Sequence, residues 1–145
     1  MTVIGPRGEL TVTVADPEAE ETRIALSYTE AARLGIKNLP VYDGTLRGSA
    51  GCILRGPEGK ATLDRGVVAP ARELSITTEH ATAYGLTEDQ RIWAEIESAD
   101  RSLILGNIAV RIRDNESLTL CLDIDEAAAS GLTDGQYVKL LTASP

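Results

Sequence analysis

The chain has 145 residues, no Phe and a formal net charge of -8 at pH 7. That length fits one domain or two very small ones, and it suffices to bury a core. The charge argues against nucleic acid and anionic membrane surfaces as partners, since both call for a basic face. No apolar run approaches the ~20 residues of a membrane span. The start, Met1-Thr2-Val3-Ile4, runs straight into Gly5-Pro6-Arg7-Gly8 and shows no signal-peptide pattern. Cys52 and Cys121 lie far apart with no CxxC, which reads as two buried thiols of a cytoplasmic protein, with a disulfide as the lesser alternative.

Val, Ile, Leu, Ala, Gly and Thr dominate, a composition suited to compact β-structure with tight turns. Val3-Ile4 and Leu10–Val14 flank the Gly5–Gly8 turn and predict a hairpin. Asp16-Pro17 breaks the second strand, and the acidic run 18–21 is solvated. Arg23–Leu26 is a short strand. Ser27 with Glu30 forms a capping box for a helix over Thr29–Leu34, which Gly35 ends. Cys52–Leu54, a turn at Gly56-Pro57-Glu58-Gly59, and Ala61–Leu63 repeat the opening hairpin. Gly66–Val68 and Arg72–Ile76 are extended. Thr77 caps a second helix that Gly85 ends. Strands follow at Arg91–Ile96, within Ser102–Arg113, and at Leu118–Leu122. Asp123 with Glu126 is a second capping box, before a helix over Ala127–Ser130 and the stop Gly131. Gln136–Leu141 is the last strand.

Aligned on the stop glycines, three units coincide: Ser27…Ala31…Gly35, Thr77…Ala81…Gly85 and Asp123…Ala127…Gly131. The cap residue satisfies orphan helix donors, the alanine lets a short helix lie close to a sheet, and the glycine reverses the chain. Cap, short helix, glycine, strand is the recurring unit of small twisted barrels such as double-psi and cradle-loop barrels. The expected fold is mostly β: two small interlocked β-barrels with short capping helices. The first barrel is built mainly from residues 1–70 and the second from 71–145.

One strand carries the chemistry. Glu73 and Ser75 alternate with Leu74 and Ile76, so both point to one face. Other positions read as structural. The two Gly-Pro-x-Gly motifs lack a following helix N-terminus and are hairpin turns rather than phosphate cradles. His80 matches Glu30 and Glu126 in the repeat, all solvent-facing. Trp93 is assigned to the core. Cys121 has no histidine placed to activate it and reads as a buried structural thiol. Arg72 either binds an anion or pairs with Glu73 or a loop carboxylate.

The block Gly48–Arg72, together with Leu34-Gly35-Ile36-Lys37 and Leu122–Ala127, resembles the PduL-type phosphotransacylases, also called phosphate propanoyltransferases. The likeness runs from about Val3 to about Leu141. It implies two small β-barrels with helical caps, and a zinc held by histidines that serves acyl transfer between coenzyme A and phosphate, often inside bacterial microcompartments. The departures from that pattern are specific. The family's Arg-His-x-His strand reads here Arg72-Glu73-Leu74-Ser75. A further family histidine falls on Cys121, a glutamate on Ala25, and a substrate-binding arginine near Ala19. The family's first strand, with another His-x-His, precedes the matched region.

These residues, Arg72, Glu73, Ser75, Cys121 and Ala25, form the candidate degenerate pocket, with no catalytic residue and no metal ligand assigned. A catalytic zinc needs three protein ligands, and Glu73 with Cys121 supplies two. The expectation is therefore a non-catalytic PduL-like protein, a pseudoenzyme with a binding, scaffolding or regulatory role near acyl-phosphate metabolism or a microcompartment. The alternative is a working phosphate acyltransferase, with zinc and coenzyme A as its cofactors. The second barrel is expected to lack the family's first strand. The expected association is a homo-oligomer or a heteromer through an open barrel edge beside Glu73 and Ser75, with neither nucleic acid nor membrane as partner.

Overall fold

The computed structural model describes residues 1–145. The chain divides into two compact units, Met1–Pro70 and Ala71–Pro145. Each holds one five-stranded, curled half-barrel sheet, with one short helix in the first unit and two in the second.

In the first unit β1 (Thr2–Ile4) and β2 (Glu9–Thr11) form the opening hairpin, closed by a 2.9 Å hydrogen bond from the Gly5 amide to the Gly8 carbonyl. β3 (Ile24–Ala25) leads into α1 (Tyr28–Leu34). β4 (Ala50–Gly56) and β5 (Gly59–Val68) make the second hairpin. The sheet order is β2-β1-β4-β5-β3, with β3 parallel to β5. Val3, Ile24, Leu26, Leu34 and Val67 form the core.

In the second unit the elements are β6 (Glu73–Ile76), α2 (Thr78–Tyr84), β7 (Arg91–Ile96), β8 (Leu103–Ile112), β9 (Thr119–Cys121), α3 (Ile124–Ser130) and β10 (Lys139–Leu141). Their sheet runs β10-β7-β8-β6-β9, with β6 parallel to β8 and antiparallel to β9. Leu74, Ile76, Ile92, Ile108 and Val110 form its core.

The three-fold repeat is present in full. Ser27, Thr77 and Asp123 each accept the amide three residues on, and Gly35, Gly85 and Gly131 adopt φ of 77°, 67° and 71°. The residue after each glycine donates back to the repeat alanine: Ile36 to Ala31 at 2.9 Å, Leu86 to Ala81 at 2.8 Å, Leu132 to Ala127 at 3.0 Å. This is the Schellman closure, which requires a left-handed residue. No neighbouring atom crowds a Cβ at Gly131, so the cost of a side chain there is conformational only. Gly131→Val is expected to destabilise the second unit by about 1–2 kcal/mol, read by denaturant unfolding. An unchanged midpoint would mean that α3 does not need its stop.

Several expectations are corrected. The expected strand over Leu10–Val14 is observed as Glu9–Thr11, with the Val12 amide still bonded to the Met1 carbonyl at 2.9 Å, and that over Arg23–Leu26 as Ile24–Ala25, with the Leu26 amide still bonded to the Val68 carbonyl at 3.0 Å. Gly66–Val68 is not a separate strand, because β5 runs on to Val68. Trp93 is only half-buried, since the alternation of β7 turns Ile92, Ala94 and Ile96 inward and Trp93 to the other face, against Gly106. Glu30 and Glu126 are half-buried rather than solvent-facing, because each carboxylate turns back onto its own cap amide. Cys52 is buried, but Cys121, on the edge strand β9, is exposed. β6 itself is not an edge, since β8 and β9 flank it; the open edges are β2 and β3 in one sheet and β9 and β10 in the other. No helix is long and apolar enough to cross a membrane.

Candidate functional site: a carboxylate held between two arginines

The alternation in β6 puts Leu74 and Ile76 into the core and Glu73 and Ser75 on the opposite face. The register then assigns their neighbours. Ser75 stands beside Arg111 of β8, and Glu73 and Ser75 stand beside Cys121 and Thr119 of β9. Arg113 follows two residues after Arg111 and returns to the same face.

Both guanidiniums close on Glu73. Arg111 Nε lies 3.4 Å from one carboxylate oxygen, and Arg113 Nη2 lies 3.4 Å from the other. Arg113 also donates to the Ser75 hydroxyl at 3.4 Å. Ser75 is only 2% exposed, so this contact satisfies a polar group with little access to water. Outside this core, Arg111 pairs with Asp89 and, at 3.5 Å, with Glu88, while Arg113 pairs with Glu116 at 3.6 Å. Asp89 has a positive φ of 62°, a conformation Asp tolerates, and its carboxylate meets Arg111 there. Hydrogen bonding and charge attraction from Asp89 and then Glu73 raise the Arg111 pKa above its ordinary value, against a smaller opposing effect of burial.

Cys121 sits across from Glu73 in the register. Burial of its sulfur pushes the thiol pKa up, and the Glu73 and Glu116 carboxylates push it further, against a smaller opposite effect of Arg113. A raised pKa leaves less thiolate at a given pH, so Cys121 is expected to alkylate more slowly at pH 8 than a free cysteine and to speed up as pH rises. Glu73→Gln should accelerate it. Fast, pH-independent alkylation at pH 7 would contradict this electrostatic picture.

Arg72 faces another way. Its Nε pairs with Glu126 of α3, and its Nη1 donates to the Gly106 carbonyl at 2.9 Å. Of the open alternatives, the structure shows pairing, with a helix carboxylate and not with Glu73. Glu126 also accepts the Asp123 cap amide at 3.0 Å, so one carboxylate joins the α3 capping box to Arg72. Ala25 belongs to the first unit, where it is exposed on β3 and lines a cavity of about 680 Å³. His80 is exposed in α2, bonded to Thr77 and stacked on Tyr84.

The pocket named from the sequence thus assembles in part. Glu73, Ser75 and Cys121 share a face, while Arg72 supports α3. Arg111 and Arg113 were missed. Their signal was the spacing of two arginines two apart in a strand, which places both on one face, but the strand they meet is fixed only by the sheet order.

The donor set can be tested against the zinc that the resemblance implies. No group of three or more His, Cys, Asp or Glu side chains converges in the chain. Both Glu73 oxygens are engaged by guanidiniums, and burial and the neighbouring carboxylates raise the Cys121 thiol pKa, which works against the thiolate a metal ligand needs. A divalent cation at Glu73 would sit beside two fixed positive charges at short range, which is strongly repulsive away from bulk water. The residues of this chain do not fit a zinc ion.

Two half-barrel sheets, each helix-capped through the same cap–helix–glycine repeat, define a mostly β protein. The chain belongs to the phosphate propanoyltransferase family, whose pattern it matches over residues 1–133. It is 34% identical over 143 residues to the phosphate propanoyltransferase of Thermotoga maritima, covering 97% of this chain and 68% of that protein. It is 32% identical over 142 residues to that of Shewanella putrefaciens, covering 97% and 67%. With that of Leptotrichia buccalis it shares 32% over 134 residues, covering 92% and 63%. The chain therefore spans about two thirds of the length of these relatives.

Proposed function

We propose that this chain is a non-catalytic member of the phosphate propanoyltransferase family, with a binding or regulatory role beside acyl-phosphate and acyl-coenzyme A metabolism in a bacterial cytoplasm. One observation carries the reading: Glu73 is held between Arg111 and Arg113, in the strand where the resemblance implies metal-binding histidines. A carboxylate closed by two guanidiniums is a structural ion-pair network. It offers no Lewis acid for a thioester carbonyl, and both carboxylate oxygens are already engaged by guanidiniums. The network is also balanced against binding a free anion, since Glu73, Glu88, Asp89, Glu116 and Glu126 outnumber Arg72, Arg111 and Arg113. Association through an open sheet edge belongs to the same reading.

Family membership supports a second reading, a phosphate acyltransferase acting between coenzyme A and phosphate. One experiment separates the two. Purified protein is dialysed against chelator, analysed for zinc, and assayed for acyl exchange between coenzyme A and phosphate. Less than stoichiometric zinc with exchange at background rates is the expected result. About one zinc per chain with enzyme-like turnover overturns the non-catalytic reading. Glu73→His with Ser75→His is expected not to create exchange, because Arg111 and Arg113 remain beside the new imidazoles.

A further inference from the structure

We infer that Asp134-Gly135 is a site of spontaneous covalent modification, where the aspartyl linkage rearranges to the β-linked isoaspartyl form, and that the product loosens β10.

The sequence has two Asp-Gly pairs, Asp43-Gly44 and Asp134-Gly135. In each, the glycine leaves its amide nitrogen unshielded by any side chain. That nitrogen can attack the side-chain carboxyl carbon of the aspartate before it. A C–N bond forms, a C–O bond breaks, and the carboxyl OH leaves as water with the amide proton. Water then opens the five-membered ring at either carbonyl. Opening at one restores aspartate. Opening at the other carries the main chain through the side chain and lengthens it by one methylene. Water is the only co-reactant, and the net change is an isomerisation.

An internal comparison singles out Asp134. Beyond two of the stop glycines the sequence repeats, Leu86-Thr87-Glu88-Asp89-Gln90 against Leu132-Thr133-Asp134-Gly135-Gln136. Both stretches form the same turn. The Gln90 amide donates to the Thr87 carbonyl at 3.2 Å, and the Gln136 amide to the Thr133 carbonyl at 3.3 Å. In both, the glutamine side chain accepts the threonine amide, at 3.0 Å and 2.9 Å. The first copy is anchored. Glu88 accepts the Ile112 amide at 2.7 Å, Asp89 pairs with Arg111, and the Asp89 amide donates to the Val110 carbonyl at 3.0 Å. The second copy has no such anchor. The Asp134 carboxylate and the Gly135 amide have no partner, and residues 133–137 are all exposed. No atom lies within 4 Å of the place a Gly135 Cβ would take, so the ring meets no obstacle.

Asp43 is equally exposed but held. Its carboxylate accepts the Thr45 amide at 3.0 Å and the Thr45 hydroxyl at 2.9 Å. The amide bond first, and then the hydroxyl bond, keep its carboxyl below the ordinary pKa. Ring closure expels water from the protonated acid, so these bonds shrink the reactive fraction. Gly44 is as uncrowded as Gly135, which leaves the carboxylate's partners as the difference between the two sites.

The bond from Gln136 to Thr133 spans the site, and β10 pairs with β7 just beyond it. An added main-chain methylene breaks the geometry of that turn and slackens the entry to β10.

The test incubates the whole chain at about pH 5, where part of an ordinary carboxyl is protonated. Tryptic peptides 38–47 and 114–139 hold one Asp-Gly pair each, and electron-transfer fragmentation locates isoaspartate within them. In the folded chain Asp134 is expected to isomerise at least about fivefold faster than Asp43, and in denaturant within about twofold of it, because only the fold ties one carboxyl down. Asp134→Glu should abolish the product at that position and leave thermal unfolding unchanged. Isomerised chains should exchange the amides of residues 139–141 faster than the parent. Equal rates in the folded chain, or a difference that persists in denaturant, would overturn the assignment. Parent-like exchange at residues 139–141 in the isomerised chains would overturn the effect on β10.

Discussion

Gly51→Ala is expected to destabilise the first unit by about 3 kcal/mol or more, the upper range for forced overpacking. Gly51 lies at the irregularity where the β4–β5 register shifts between Ala50 and Cys52. A Cβ built there would fall 2.0 Å from the Leu63 carbonyl oxygen and 2.9 Å from the Asp64 carbonyl carbon and oxygen. All three are backbone atoms of the adjoining strand, so no side-chain rotation relieves the overlap. Only separation of β4 from β5 does, and these two strands join β1 and β2 to β3. Denaturant unfolding combined with amide exchange reads the effect. Exchange should accelerate throughout residues 50–68 while the 71–145 unit keeps its protection. A Gly51→Ala protein within about 0.5 kcal/mol of the parent would show that the bulge yields without cost.

Arg72→Met is expected to cost about 2 kcal/mol and to loosen α3. The substitution keeps the apolar stem but removes the pair to Glu126 and the bond to the Gly106 carbonyl. The Glu126 side chain is only 18% exposed, so its carboxylate is left poorly hydrated and unpaired. Amides of residues 124–130 should exchange faster. Combining Arg72→Met with Glu126→Gln should cost less than the sum of the two single changes, because each removes the same interaction. Strict additivity, or a loss of only a few tenths of a kcal/mol, would return Arg72 to the role of a free cation available to a ligand.

The sequence reached what is set locally. Caps at Ser27, Thr77 and Asp123, stops at Gly35, Gly85 and Gly131, and turns at Gly5–Gly8 and Gly56–Gly59 are decided within a few residues by orphan amides and by the absence of a Cβ. The mostly β class followed, and so did the shared face of Glu73 and Ser75, because strand alternation is itself local. What stands beside that face was not local. Arg111 and Arg113 are 38 and 40 residues from Glu73 in the chain, and only the parallel pairing of β6 with β8 brings them to its carboxylate. The turning of Arg72 to Glu126 depended in the same way on where α3 folds back, and the exposure of Cys121 on β9 being an edge.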